Sequence, residues 1–294
     1  MERMLKKLKI WALATRAETL IASISPMIIG TFLASKEVKI DYLILFPTYL
    51  YGIFLHLGTN LSNDYYDFLK GADTEKRVAP FSTIQTKLTS LKQIKIAFSL
   101  SFLLAFFIGL FLILQGGILT ASLFALPIIF GYYYTAGKKP LGYIGLGEIL
   151  VLIFFGPYAC FGTYYLQTLK ISYLPIIASL GPGFLSVAVL VVNNLRDIAV
   201  DRTADKITLA VRFGKKFAKI EYIASISLAF LVPIIYFILL KKPSILVAST
   251  FIFFAPFKLI YNFKNPVLLN DGLKKTVLLL IIYTIAFSSA LYFI

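Results

Sequence analysis

Nine apolar runs, each close to the length of roughly 20 residues that a membrane helix needs, divide this chain. They fall at about 11–34, 42–63, 94–114, 118–135, 144–166, 173–194, 219–240, 244–261 and 274–294. A chain so divided has one economical fold, an all-α bundle of nine transmembrane helices, because helices satisfy their own backbone hydrogen bonds in hydrocarbon. Composition agrees: 59% of the 294 residues are hydrophobic and only 15% charged, where soluble domains carry about 25%. No hydrophilic stretch is long enough for a soluble domain. The longest, about Asp64–Lys95, has room for one short helix from Ser82 or Ser90, so residues 1–294 read as a single domain.

The net charge of +15 does not point to nucleic acid, because the basic residues are scattered between apolar runs instead of forming one stripe. Their partner is the anionic face of a lipid bilayer. With nine spans, 22 of the 29 Lys and Arg fall on one side, five on the other, and Arg16 and Lys258 within runs. The positive-inside rule then puts the N-terminus in the cytoplasm of an inner- or plasma-membrane protein. Met1–Ala14 lacks the apolar core of a cleaved signal. The single cysteine, Cys160, permits no internal disulfide and reads as a small packing residue.

Acidic residues are concentrated. Windows 60–77 and 193–205 hold Asp64, Asp67, Asp73, Glu75, Asp197, Asp201 and Asp205, half of the 14 in the chain. Read as helix, Asn60, Asn63, Asp64 and Asp67 recur at i, i+3, i+4 and i+7, and Asn193, Asp197 and Asp201 at i, i+4 and i+8. Each set puts carboxylates and carboxamides on one face at the end of an apolar run. Ionised carboxylates so close repel one another, and an all-oxygen cluster suits a hard divalent cation such as Mg2+. The alternative is a pair of solvated helix ends at the membrane surface. Both motifs fall on the cytoplasmic side of the nine-span arrangement, where one active-site cavity can use both, and their parallel placement hints at a weak internal duplication.

Asn63–Asp73 reads NDYYDFLKGAD and Asn193–Ala210 reads NNLRDIAVDRTADKITLA. With Tyr134-Thr135, Lys139-Pro140-Leu141-Gly142-Tyr143 and Leu146-Gly147-Glu148, these motifs resemble the UbiA-type intramembrane aromatic prenyltransferases. The likeness is nearest to the menaquinone branch and extends over nearly the whole chain, from Trp11 onward. Two departures stand out: Ala17 follows Arg16 where that family usually has Pro, and Ala79-Pro80 replaces its common Gly-Pro.

The resemblance implies Mg2+-dependent transfer of a polyprenyl group from a polyprenyl diphosphate to 1,4-dihydroxy-2-naphthoate, with loss of CO2 and diphosphate, giving demethylmenaquinol. Other aromatic acceptors, an isomeric dihydroxynaphthoate, 4-hydroxybenzoate or homogentisate, remain open. It implies Asn63, Asp67, Asp197 and Asp201 as metal ligands, with Asp64 and Asn194 beside them. Arg77, Lys139, Arg196 and Lys70 would hold the diphosphate, or else face lipid headgroups. Asp73 or Arg77 would orient the acceptor, unless Asp73 is a structural cap. Tyr65, Tyr66, Tyr132, Tyr133, Tyr134 and Tyr143 offer π faces to an allylic cation or anchor the chain at the interface. Glu148 is either functional or a headgroup-level carboxylate, and His56, the only histidine, reads as a hydrogen-bonded packing residue.

A transporter is the rival of another class, since intramembrane carboxylates also mark ion paths. It predicts polar groups through the whole membrane depth, whereas here they collect at one face. The Asp-Gly-x-x-Ala-Arg signature of alcohol phosphotransferases is absent, the only Asp-Gly being Asp271-Gly272 followed by Leu-Lys.

Overall fold

The computed structural model describes residues 2–72, 82–263 and 265–293. Every regular element among them is helical: α1 (Glu2–Ala14), α2 (Leu20–Ala34), α3 (Tyr42–Leu69), α4 (Leu91–Gly116), α5 (Ile118–Tyr133), α6 (Gly147–Ile153), α7 (Ala159–Thr168), α8 (Leu174–Thr203), α9 (Leu209–Leu240), α10 (Val247–Thr250), α11 (Phe257–Asn262) and α12 (Leu268–Tyr292). Eight stretches among the described residues are long and apolar enough to cross a membrane. The run expected at 118–135 is shorter than that. Helix α5 has 16 residues, a rise of roughly 24 Å at 1.5 Å per residue against a hydrocarbon core of about 30 Å.

Helix starts follow local chemistry. Asp41 caps α3, its carboxylate accepting the Leu43 amide at 2.8 Å. Ser90 and Gln93 form a reciprocal capping box that opens α4. The start expected at Ser90 is therefore the start of the next span, not of a separate short helix. The first apolar run is divided: Arg16 takes a left-handed conformation (φ 51°, ψ 49°), separating α1 from the turn Ala17–Thr19 that leads into α2. A non-glycine residue there signals a constraint, and its side chain supplies one below. The run at 144–166 is also interrupted, by a π-turn over Phe154–Tyr158 where Gly156 leaves helical geometry ahead of Pro157. A Cβ on Gly156 would lie 3.2 Å from the Cα of Gly183, so these two glycines let α8 pack against that turn.

Helix α8 is the most deeply set, packing against α9, α12, α6 and α2, while α3 packs against α4 and α5. Helix α2 joins the two groups through α7, α12, α8 and α3. Large apolar side chains point outward at Leu43, Ile118 and Phe253, the last 90% exposed. That would be an aggregation surface in water, and it suits a multi-pass integral membrane protein. At the α2–α7 crossing the backbones touch: a Cβ on Gly30 would run into the Cys160 carbonyl oxygen. Gly30→Ala is expected to destabilise the bundle by about 1–3 kcal/mol. Thermal unfolding in detergent, compared with the wild type, checks this.

Candidate active site

The C-terminal ends of α3 and α8 meet. Between them and α2, α5 and the α6–α7 turn lies a cavity of about 820 Å³, well within the range of small-molecule sites, about 300–1,000 Å³. Asn60, Asn63, Asp64 and Asp67 enter its polar end from α3, and Asn193, Asn194 and Arg196 from α8. A small pocket of about 30 Å³ lies alongside, lined by Asp67, Asn193, Asp197 and Asp201 with Arg16 and Lys206. The helical spacing of each motif thus does what it predicts, keeping its oxygens on one face, and the fold brings the two faces to one site.

Each buried carboxylate has a cation or a donor. Arg16 pairs with Asp64 at 2.6 Å, which accounts for the left-handed turn at Arg16: the break in the chain aims its guanidinium back at α3. Asp67 accepts a hydrogen bond from the Tyr143 hydroxyl at 2.7 Å. Lys206 stands 3.8 Å from Asp67 and 3.5 Å from Asp201, bridging the two motifs. Arg196 donates from Nε and Nη2 to the two oxygens of Asp197 at 2.9 and 2.8 Å. Its Nη1 reaches Asn270 of α12 at 2.9 Å, and Nη2 also reaches Asn193. Such a planar fork suits guanidinium and not ammonium.

The loop 134–146 folds onto this face. Thr135 donates to the Asn63 carboxamide oxygen at 2.8 Å, and the Ile207 amide donates to the Tyr143 carbonyl at 2.9 Å, fixing Lys206 beside it. Glu148 is buried and accepts from the Asn194 amide at 2.8 Å. It is thus a partner of the second motif. His56 is buried and hydrogen-bonded, as its apolar setting suggests, and its ring lies on the cavity wall.

Several expected residues are placed elsewhere. Lys70 donates to the carbonyls of Thr135 and Gly137 at 2.7 and 3.1 Å, strapping the loop to α3, and its burial there holds the ammonium below the ordinary lysine pKa. Lys139 is exposed, and neither lysine lines the cavity. Among the described residues the cations there include Arg16, Arg196 and Lys206. Of the six tyrosines proposed to face a cation, only Tyr134 lines the cavity. Tyr65, Tyr66 and Tyr132 instead pack with Phe98 and Phe102 between α3, α4 and α5, and Tyr143 supports Lys70 and Lys206 on its ring. Asp73, Arg77 and the Ala79-Pro80 segment lie outside the described residues.

No three His, Cys, Asp or Glu side chains among the described residues form a ready-made metal group. The donor chemistry nevertheless fits Mg2+. The donors are carboxylate and carboxamide oxygens, and the Lys206 ammonium stands between Asp67 and Asp201, where positive charge is required.

The family model described as the UbiA prenyltransferase family matches residues 23–279. The chain belongs to the UbiA prenyltransferase family. The 1,4-dihydroxy-2-naphthoate octaprenyltransferase of Haemophilus influenzae is 38% identical over 232 residues, covering 76% of this chain and 75% of that one. The Mycobacterium tuberculosis protein of the same name is 36% identical, covering 72% of each. A solved UbiA homolog from Archaeoglobus fulgidus, bound to DMAPP and Mg2+, superimposes with a TM-score of 0.63 at 15% identity, covering 95% of this chain and 99% of that one. That likeness gives the fold. Membership makes this chain an enzyme, a prenyltransferase built as a multi-pass membrane bundle.

Proposed function

We propose that this UbiA enzyme transfers a polyprenyl group from a polyprenyl diphosphate to 1,4-dihydroxy-2-naphthoate, releasing diphosphate and CO2 and giving demethylmenaquinol. One observation carries the reading: the α3 and α8 carboxylates converge around Lys206 at the polar end of a large, mainly apolar cavity. The names of its relatives support the acceptor. Chain 1–294 acts as one domain, α5 counts as a ninth span, and the asymmetry of basic residues puts the site at the cytoplasmic face.

Asn63, Asp64, Asp67, Asn194, Asp197 and Asp201 would hold Mg2+, which when bound supplies the charge neutralisation a diphosphate needs to leave. Arg16, Arg196 and Lys206 hold diphosphate oxygens as negative charge develops on them, an electrostatic contribution that needs no reorganisation of the site. Arg77 and the exposed Lys139 add to this set, while Asp73 orients the acceptor. In the transfer the prenyl C–O bond breaks and diphosphate takes the electron pair. The ring carbon bearing the carboxylate bonds to the prenyl carbon, and the electrons of the ring–carboxylate bond return to the ring as CO2 departs. No net proton transfer is needed. Apolar walls exclude the water that would quench an allylic cation, and Tyr134, Phe130 and Phe154, which line the cavity, would offer it π faces.

Purified protein in detergent, given a long prenyl diphosphate, Mg2+ and either 1,4-dihydroxy-2-naphthoate or 4-hydroxybenzoate, tests this by mass spectrometry of the product. The expected product is the decarboxylated, prenylated naphthoquinol, formed only with Mg2+. Coupling to 4-hydroxybenzoate alone would overturn the acceptor, and no consumption of prenyl diphosphate by folded protein would overturn the reaction.

A further inference from the structure

The cavity has two unlike walls. Toward α5 and the α6–α7 turn it is apolar, with Leu123, Phe124, Phe130, Phe154 and Phe155. Along the seam of α2 and α3 it carries Thr19, Ser23, His56 and Asn60. A polyprenyl tail offers nothing to hydrogen-bond, and polar groups in an apolar cavity are costly unless they have a partner. His56 precedes Asn63 by seven residues, so it lies roughly 10 Å deeper along α3 at 1.5 Å per residue. His56 and the Ser23 it bonds are therefore set deeper than the diphosphate end, with Asn60 linking them to it.

The hydrogen bonds favour one arrangement of the protons. Asn60 Nδ2 donates to the Thr15 carbonyl at 3.1 Å and lies 2.9 Å from His56 Nε2, which Thr19 Oγ1 also approaches at 3.3 Å. A carbonyl only accepts, so the amide nitrogen is held in that position, which favours the tautomer in which His56 Nε2 accepts. The ring proton is then on Nδ1, which donates to Ser23 Oγ at 2.7 Å. Ser23, having accepted that bond, keeps its own hydroxyl proton to donate from the cavity wall.

We propose that a ring hydroxyl of the aromatic acceptor occupies a subsite between these walls, with Ser23 hydrogen-bonding to it. His56 and Asn60 are positioning residues that orient Ser23, and the prenyl tail lies along the apolar wall. The assignment rests on the acceptor class proposed above. It deepens that reading by naming residues outside both acidic motifs that set acceptor specificity.

Equilibrium binding to full-length protein in nanodiscs, without prenyl diphosphate, is the test. The ligands are 1,4-dihydroxy-2-naphthoate and 2-naphthoate, which has the same ring and carboxylate but no hydroxyls. Ser23→Ala is expected to weaken the dihydroxy ligand about five- to tenfold, the worth of one neutral hydrogen bond, and to leave 2-naphthoate unchanged. Unchanged binding of the dihydroxy ligand in Ser23→Ala would overturn the subsite and leave prenyl transfer standing. Equal weakening of both ligands would also overturn it, and failure of the wild type to bind either would remove the proposed acceptor and the subsite together.

Discussion

Asp67→Asn is expected to lower prenyl transfer by about 10²–10³-fold, the loss typical of removing one preorganised electrostatic group from a reacting centre. The substitution keeps volume and keeps an oxygen that can accept from Tyr143, so the loop 134–146 stays docked. What it removes is the negative charge facing Lys206 and shared with Asp201 across the small pocket. Fewer charged oxygens remain for a hard cation, and Mg2+ titrations of activity should shift to higher concentration. The melting temperature should change little, because relief of repulsion with Asp201 offsets the weakened attraction to Lys206. Single-turnover product formation with and without excess Mg2+, beside a thermal melt, checks both parts. Wild-type turnover in the Asn variant would show that Asp67 is only a structural partner of Tyr143.

Much of this arrangement is legible in the sequence, because helical periodicity is a local property. Asn63, Asp64 and Asp67 at the end of one apolar run, and Asn194, Asp197 and Asp201 at the end of another, need only 3.6 residues per turn to share a face. Loop charge only suggests that both lie on one side of the membrane; the fold itself brings the two faces together around Lys206. The cations were harder to assign. Lys70 and Lys139 adjoin the motifs in sequence, but backbone carbonyls hold Lys70 and Lys139 is exposed. Arg16 and Asn270 come from α1–α2 and α12, distant in sequence, and only packing of the bundle brings them in. Two signals were available: Arg16 is a charge inside an apolar run, where an ionisable residue is functional by default, and Lys206 belongs to the second motif. The tyrosines leave two readings open because aromatic residues at a membrane interface, in a core and in a site look alike in sequence. The broken runs are local again, with Gly156-Pro157 in one, and Pro243 and Pro256 flanking the short turns around α10.

Arg196 gives the sharpest separation of charge from geometry. Its guanidinium makes four hydrogen bonds to three side chains, Asp197, Asn193 and Asn270, and both members of its ion pair are buried. Arg196→Met leaves the Asp197 carboxylate without that partner, and breaking a buried pair in this way costs about 3–5 kcal/mol. Arg196→Lys keeps the charge but loses the fork, since one ammonium on a different stem cannot serve Asp197 bidentately and reach α12 as well. Lys should therefore recover most of the melting temperature lost in Met, yet lower kcat/KM by about 10²-fold, chiefly through diphosphate positioning. The link to α12 can be isolated in a cycle with Asn270→Ala. In the Arg background Asn270→Ala removes the Nη1 acceptor and weakens turnover; in the Lys background, where that bond is already lost, its effect should be smaller by a coupling of about 0.5–3 kcal/mol. Additive effects would mean that Asn270 acts independently of Arg196, and that α12 closes the cavity without helping to orient the diphosphate.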